Sequence, residues 1–552
     1  MRLTTRRNFL QTAAGIAALN AKAAPSLVAE ASGGSPARLR LRGLTVDAAR
    51  LPERLSYYLR LIDFCQEWGL NALLFRLTDD QGSMLRFRGY PELITHHHAL
   101  TPEAARELAA HGERKGVTVI PEIESFGHTR YITAAPKYAH LEDSDPAGQR
   151  HFGGLIPVAP ETLSLIGGLY REAAALFPSP YLHGGCDEVN WGGSELSRRA
   201  LLKRSRAEIW AEYLNSLDDA CHKLGKQLIV WGDFVVHKEP QILPRLNQRV
   251  IVMDWQYYVT NPKPLAQVAE TVIAHGHGAI GAPAIISCEW GPRAGQQQLR
   301  NIDAYADAYS GIRSARNLGV VVTNWVPSRY FERSLWDSFA YAASALNDGS
   351  AAARESAFRK FIEKFYGAGW SSNWQEIFST YYRITPNRHS CAPQWQGPRL
   401  PVPWVDERGL RAALNSSGAA APPFAALRER IRRATDTVRR NSGDFSAFAL
   451  SAEYLEYAFW RNSAIEASAK APEAQARHLI GTLSERDRSM VTKLDAEWSI
   501  GRFPDERGKL QQLTELGPAD QLLFRMGQAA TFSASLAKEP SRFSTMLRRK
   551  GG

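Results

Sequence analysis

The stretch TPEAARELAAHGERKGVTVIPEI, residues 101–123, reads as one capped helix running into one buried strand. Thr101 offers a hydroxyl to orphan N–H groups, Pro102 suits the first helical turn, and Gly116 stops the helix. The apolar run from Val117 to Ile123 then has no polar alternation, as expected of a strand covered on both faces. The same unit precedes it: LPERLSYYLRLIDFCQEWG (51–69), closed by Gly69, leads into NALLFRLTD (71–79). Counting outward gives eight candidate strands, at 38–47, 71–79, 117–123, 181–187, 227–234, 250–257, 281–290 and 320–326. Eight strands alternating with helices predict a (β/α)8 TIM barrel over residues 38–348, with its site at the C-terminal strand ends. Beyond it the strand signal stops, and residues 349–552 predict a mainly helical C-terminal domain.

Lysine and arginine outnumber aspartate and glutamate by 67 to 56, but the excess is scattered and no nucleic-acid motif accompanies it. TTRRNFLQTAAGIAALNAKAA pairs Arg6 and Arg7 before an apolar, alanine-rich stretch and small-residue cleavage options. This has the order of a twin-arginine signal over residues 1–31, and it predicts a folded, exported, periplasmic or secreted protein. The five cysteines, Cys65, Cys186, Cys221, Cys288 and Cys391, are dispersed and describe no disulfide framework. No later run is apolar enough to predict an integral membrane segment.

Polar and aromatic residues gather at the predicted strand ends. Strand one carries Arg42 and Asp47, strand two Asp79 and Asp80, strand three Glu122, Glu124 and His128, and strand four His183, Asp187 and Glu188. Trp231, Trp255 with Tyr257, and Trp325 close strands five, six and eight. Aromatic planes suit the C–H faces of sugar rings, and carboxylates and arginine suit their hydroxyls, so a carbohydrate ligand is expected. Singly each tryptophan reads as core, and His96–His98 reads as a solvated loop rather than a metal site. No cofactor and no metal are predicted.

RGLTVDAAR (42–50), LTDDQG (77–82), VIPEIESFGH (119–128) and LHGGCDEV (182–189), in this order, resemble glycoside hydrolase family 20, the β-N-acetylhexosaminidases. The family's HxGGDE is matched by His183, Gly185, Asp187 and Glu188. The resemblance implies a retaining exo-glycosidase whose nucleophile is the substrate's 2-acetamido oxygen. Glu188 would be the general acid and base, and Asp187 would orient the acetamide. Arg42 would bind ring hydroxyls, Asp79 and His128 would support the acid, and Trp231, Trp255 and Trp325 would wall the sugar.

The pattern breaks in places. Cys186 replaces a glycine, Pro327 stands where strand eight normally carries a glutamate, and Arg329 is the nearest replacement. Strand seven lacks the expected tyrosine, for which Tyr257 is the substitute. With strand one starting soon after the signal, the chain falls among hexosaminidase D-like branches. Three alternatives stay open: a glycosidase of this fold on another aminosugar, a non-catalytic glycan-binding barrel, and a metal enzyme using His128, Asp187 and Glu188.

Overall fold

The structure, a computed structural model, describes residues 39–145, 153–287, 294–385, 402–415, 423–506 and 521–539. The expected signal segment (1–31), Cys288 and Cys391 lie outside the described residues. Eight parallel strands close into a barrel: β1 (Leu41–Val46), β2 (Ala72–Arg76), β3 (Thr118–Glu122), β4 (Tyr181–His183), β5 (Gln227–Trp231), β6 (Ile251–Trp255), β7 (Gly278–Ala282) and β8 (Asn317–Asn324). β8 pairs back onto β1, from Leu41 opposite Gly319 to Leu44 opposite Val322. The helix before β3 spans Pro102–Lys115; the Thr101 side chain accepts from the Ala104 N–H at 3.2 Å, and Gly116 ends it at φ 68°.

Two kinds of apolar residue sort to the two sides of the strands. Leu41, Leu74, Ile120, Ile229, Ile251, Met253, Ile280 and Val321 fill the barrel interior beneath Trp231 and Trp325. Leu44, Leu73, Phe75, Val119, Leu182, Leu228 and Val320 face outward onto the helices. That outer core runs on without a break into Phe361, Trp374, Phe378, Phe448 and Trp498 of the C-terminal helices, so barrel shell and helical region share one packing layer. A second, smaller core gathers Trp404, Leu410, Ile465, Ile480, Leu483 and Leu536 farther out. No described helix is long and apolar enough to cross a membrane.

Strand seven departs from expectation. β7 starts at Gly278, three residues earlier than predicted, and breaks at Pro283 before Ala284–Ile286 resumes pairing with β8. Proline cannot donate to the ladder, and its carbonyl instead accepts the Thr323 N–H at 2.7 Å. The structure also contains a small sheet not expected from sequence, built from Thr78–Asp79, Gly82–Leu85 and Thr95–Leu100. His96, His97 and His98 therefore lie in a strand, not the predicted loop.

Where barrel meets helices, buried charges meet too. The Arg502 guanidinium binds Glu53 at 2.7 Å and donates to the Pro327 carbonyl at 2.7 Å. Glu332 accepts from the Tyr57 hydroxyl at 3.1 Å and the Asn324 side chain at 3.3 Å. Burial, reinforced by the Glu53 charge and only partly offset by Arg502, pushes the Glu332 carboxyl up to about 8. A carboxyl raised in the folded state binds a proton that the unfolded chain releases near pH 4.5, so its stabilisation is full below that and lost as pH rises through 8. Glu332→Gln is therefore expected to gain stability relative to wild type between pH 5 and pH 9; a difference in melting temperature that stays flat over that range refutes it.

Candidate active site

β4 ends at His183, and the chain then makes the turn that decides the site. Gly185 (φ 66°), Cys186 (φ 73°) and Glu188 (φ 47°) all occupy the left-handed region. In a continuing strand Asp187 and Glu188 would face opposite ways. Here the turn aims both at one imidazole: His128 Nε2 lies 3.7 Å from Asp187 Oδ2 and 3.5 Å from Glu188 Oε2. His128 (φ 49°) and Val326 (φ 58°) are also left-handed, so four of the five described non-glycine residues with positive φ border the barrel mouth. Such strain persists where the surroundings over-determine it.

Those surroundings are specific. The Gly185 N–H donates to His183 Nδ1 at 3.0 Å, the Cys186 N–H to Glu124 Oε2 at 3.1 Å, and the Glu188 N–H to Asp233 Oδ2 at 3.1 Å. A Cβ on Gly185 would stand 2.1 Å from the same Glu124 oxygen, which is why only glycine fits there. Accepting at Nδ1 fixes His183 as the Nε2–H tautomer, and burial together with Arg76 holds it neutral, well below the ordinary histidine value.

Arg76 sits under this turn, fully buried, with Asp79 at 2.6 Å, Glu122 at 2.6 Å and Glu124 at 2.7 Å. One guanidinium cannot neutralise three carboxylates. Burial opposes the charge on Asp79, but Arg50 and Arg76 beside it hold its carboxyl well below the usual range. Glu122 goes the other way, pushed up to about 7 by burial against the pull of Arg76, and Glu124 is raised further still for the same reason. His128 is buried, which disfavours its charge, yet the carboxylates of Asp187 and Asp79 and hydrogen bonds to Asp80 and Glu188 raise it well above the ordinary histidine value.

Geometry alone would let His128, Asp187 and Glu188, or Asp79, Asp80 and His128, share a metal ion. An imidazolium between carboxylates satisfies the same contacts with protons: Nδ1–H meets Asp80 Oδ2 at 3.0 Å and Nε2–H faces the acid pair. With that proton in place the three groups form an acid–base site.

The aromatic residues divide by depth. Trp231 is buried, bonded through its indole N–H to Glu122 Oε1 at 2.9 Å and packed on His183 at 4.5 Å between centroids. It forms the floor rather than the expected wall. Trp255 stacks on Tyr257 at 5.0 Å, and the indole N–H of the buried Trp325 donates to the Tyr257 hydroxyl at 2.8 Å, making a rim whose outer pair is half-buried.

Arg42 requires a correction. It lies at the N-terminal end of β1, where its guanidinium donates to the carbonyls of Leu39 and Gly69 and to Asn347 Oδ1 at 2.9 Å. It braces the bottom of the barrel and does not reach the mouth. Arg50, from the same sequence motif, occupies the mouth instead, bound to Asp47 at 3.1 Å and Asp79 at 3.2 Å, with its guanidinium 5.4 Å from the Trp325 ring centroid. The nearer carboxylate to His128 is likewise Asp80 at 3.0 Å, with Asp79 at 3.7 Å. Sequence reasoning also missed Arg76 and Asp233, the latter bridging the Glu188 N–H to Lys238 at 3.0 Å. Pro327 and Arg329 lie in a short turn after Val326, with the Pro327 carbonyl committed to Arg502.

Residues 40–309 match the family model "Glycosyl hydrolase family 20, catalytic domain". A β-hexosaminidase of Vibrio furnissii is 27% identical over 250 residues, 40% of this chain and 40% of that protein. Human hexosaminidase D is 30% identical over 174 residues, 31% of this chain and 33% of that protein. The solved exo-β-N-acetylglucosaminidase of Vibrio harveyi, in complex with N-acetylglucosamine, shares 21% identity with a TM-score of 0.44, covering 58% of this chain and 54% of that one. The chain thus spans less than half the length of the two curated relatives. Within those bounds, residues 40–309, which carry β1 to β7 and the paired acids, are those of a glycosyl hydrolase family 20 catalytic domain.

Proposed function

We propose that this chain is an exo-acting, retaining β-N-acetylhexosaminidase, removing terminal GlcNAc or GalNAc with the substrate's 2-acetamido oxygen as nucleophile. One observation carries the reading: Asp187 and Glu188 face one imidazole, His128, at the barrel mouth, while the other described acids around them each bind a further cation or the far side of that ring. Asp47 and Asp79 bind Arg50, Glu122 and Glu124 bind Arg76, Asp80 binds His128, Asp233 binds Lys238, and Asp254 binds His237. An ordinary retaining glycosidase needs a second free carboxylate across the scissile bond, roughly 5–5.5 Å from the acid. Among the described residues none is offered, which suits a nucleophile supplied by the substrate.

In this reading Glu188 protonates the leaving oxygen and later takes a proton from water. Asp187 accepts the acetamide N–H and stabilises the oxazolinium charge. The His128 imidazolium holds the two acids apart, Arg50 grips ring hydroxyls, and Trp255, Tyr257 and Trp325 flank the sugar. The hydrolysis of p-nitrophenyl N-acetylglucosaminide and galactosaminide tests it. Glu188→Gln and Asp187→Asn are each expected to lower kcat/KM by about 10²–10⁴-fold, and a thiazoline mimic of the intermediate to bind wild type tightly. A wild type inactive on every 2-acetamido sugar refutes the proposal. Activity on such sugars with no thiazoline inhibition would leave a glycosidase on another route, the reading that the Pro327 turn, with no carboxylate at the end of β8, also favours.

The two arginines separate in the same assay. Arg50→Ala should cost roughly 10–100-fold in kcat/KM through lost substrate hydrogen bonds, and should also lower the melting temperature, since it leaves the buried Asp47 and Asp79 short of a cation. Arg42→Ala should lower the melting temperature and leave the folded enzyme's kinetics near wild type. The reverse kinetic pattern would return Arg42 to the site.

Residues 1–31 we propose to be a twin-arginine signal, so that the enzyme meets its glycan outside the cytoplasm. Changing Arg6 and Arg7 to lysine should trap the full chain in the cytoplasmic fraction; periplasmic recovery equal to wild type would remove this part of the proposal.

A further inference from the structure

His97 and His98 meet Asp505, some four hundred residues further along the chain, on the surface. His98 Nε2 lies 2.7 Å from Asp505 Oδ1, His97 Nδ1 lies 3.2 Å from Asp505 Oδ2, and the two imidazole nitrogens lie 3.3 Å apart. Neighbours in a regular strand diverge. These converge because the pairing slips: Ser83 lies opposite Thr95 but Leu85 lies opposite Leu100, so the intervening histidines bulge. His96 is turned away, its Nε2 2.6 Å from the Ala49 carbonyl. His98 is further fixed by stacking on Phe503 at 3.7 Å and 3°.

Protons do not satisfy this triangle. If both facing nitrogens carry hydrogen, each can serve Asp505, but two N–H groups then confront each other at 3.3 Å. If His97 Nδ1 is bare it can accept from the His98 Nε2–H, but its lone pair then stands 3.2 Å from Asp505 Oδ2. A cation placed between them accepts all the lone pairs at once. In a tetrahedral zinc site with bonds of about 2.0–2.1 Å, donors stand roughly 3.3–3.4 Å apart, close to two sides of the triangle, 3.2 and 3.3 Å, while the 2.7 Å side between His98 and Asp505 would open on binding. The site opens to solvent, with the His97 side chain 73% exposed, leaving room for water to complete the shell. His128 differs, because one imidazolium between carboxylates is satisfied by protons alone.

We propose that His97, His98 and Asp505 bind one divalent transition-metal ion of zinc type, through two imidazole nitrogens and a carboxylate. The ion would staple the small sheet beside Ala49 and Arg50 to the segment that follows the helix Glu473–Gly501. The donor set, nitrogen with one carboxylate oxygen, selects zinc-like ions over magnesium or calcium.

Zinc sulfate titrated into tag-free, chelator-treated full-length protein tests it by calorimetry and thermal unfolding. The expected result is one ion per chain, with a melting temperature that rises with zinc by mass action. The pair of changes His97→Asn and His98→Asn should abolish both effects, and the isosteric Asp505→Asn should weaken binding about tenfold or more. Should the histidine pair fail to fold, the Asp505 variant carries the test alone. Wild type that takes up no zinc overturns the proposal. So does a histidine variant, or an Asp505 variant, that binds with wild-type stoichiometry and affinity, since the ion would then sit elsewhere, as on His128, Asp187 and Glu188.

Discussion

A guanidinium sealed from water sets the geometry of this barrel mouth. Arg76 has no solvent contact, and an uncompensated buried charge costs several kcal/mol. It must therefore draw carboxylates to itself, and it takes them from its own strand end, as Asp79, and from β3 and the chain beyond, as Glu122 and Glu124. The consequence spreads through Glu124's second oxygen and through the Glu122 oxygen that Arg76 already holds. Glu124 reaches on to the Cys186 N–H, and Glu122 to the Trp231 indole, so one charge fixes both the turn after β4 and the floor of the cavity.

That turn then makes possible what a strand forbids. Adjacent acids point into one cavity only if the backbone enters left-handed conformations, costly for side-chain-bearing residues such as Cys186 and Glu188. Each strained residue has a compensating acceptor for its N–H, Glu124 for Cys186 and Asp233 for Glu188. The burial of so many acids is thus not surplus charge. Some hold the backbone, some hold arginine, and two face His128 at the barrel mouth.

Much of this was legible in the sequence because it rests on periodicity and order. The helix at 102–115 with its Thr101 cap and Gly116 stop, the eight strands, and the acids after β4 all follow from local patterns. What escaped depends on where a strand ends. Arg42 and Arg50 share one motif, and choosing between them requires knowing that β1 runs from Leu41 to Val46, so that position 42 falls at the bottom and 50 beyond the top. The same uncertainty of a residue or so assigned His128 to Asp79 rather than Asp80. Arg76 was hidden inside an apolar run, where nothing local distinguishes a structural cation from a strand residue facing solvent. The small sheet and the meeting of His98 with Asp505 are tertiary, and no window of sequence contains both.

The C-terminal helices belong in the same account. Pro327 has no N–H to pair, and its carbonyl is the group that turns outward where β8 ends; Arg502 from the helical region accepts the duty of donating to it. Arg502 is itself buried and neutralised by Glu53 from the segment after β1. Asp47, at the end of β1, takes the Val326 N–H at 3.0 Å and the Arg50 guanidinium with the same oxygen. The rim between β8 and β1, which carries Arg50 and Trp325 into the site, is therefore held from inside by Asp47 and from outside by Arg502. Loss of the Arg502 side chain alone would leave Glu53 and the Pro327 carbonyl buried without their cation, so the helices act on the site through backbone position, without contributing a side chain to the acid pair.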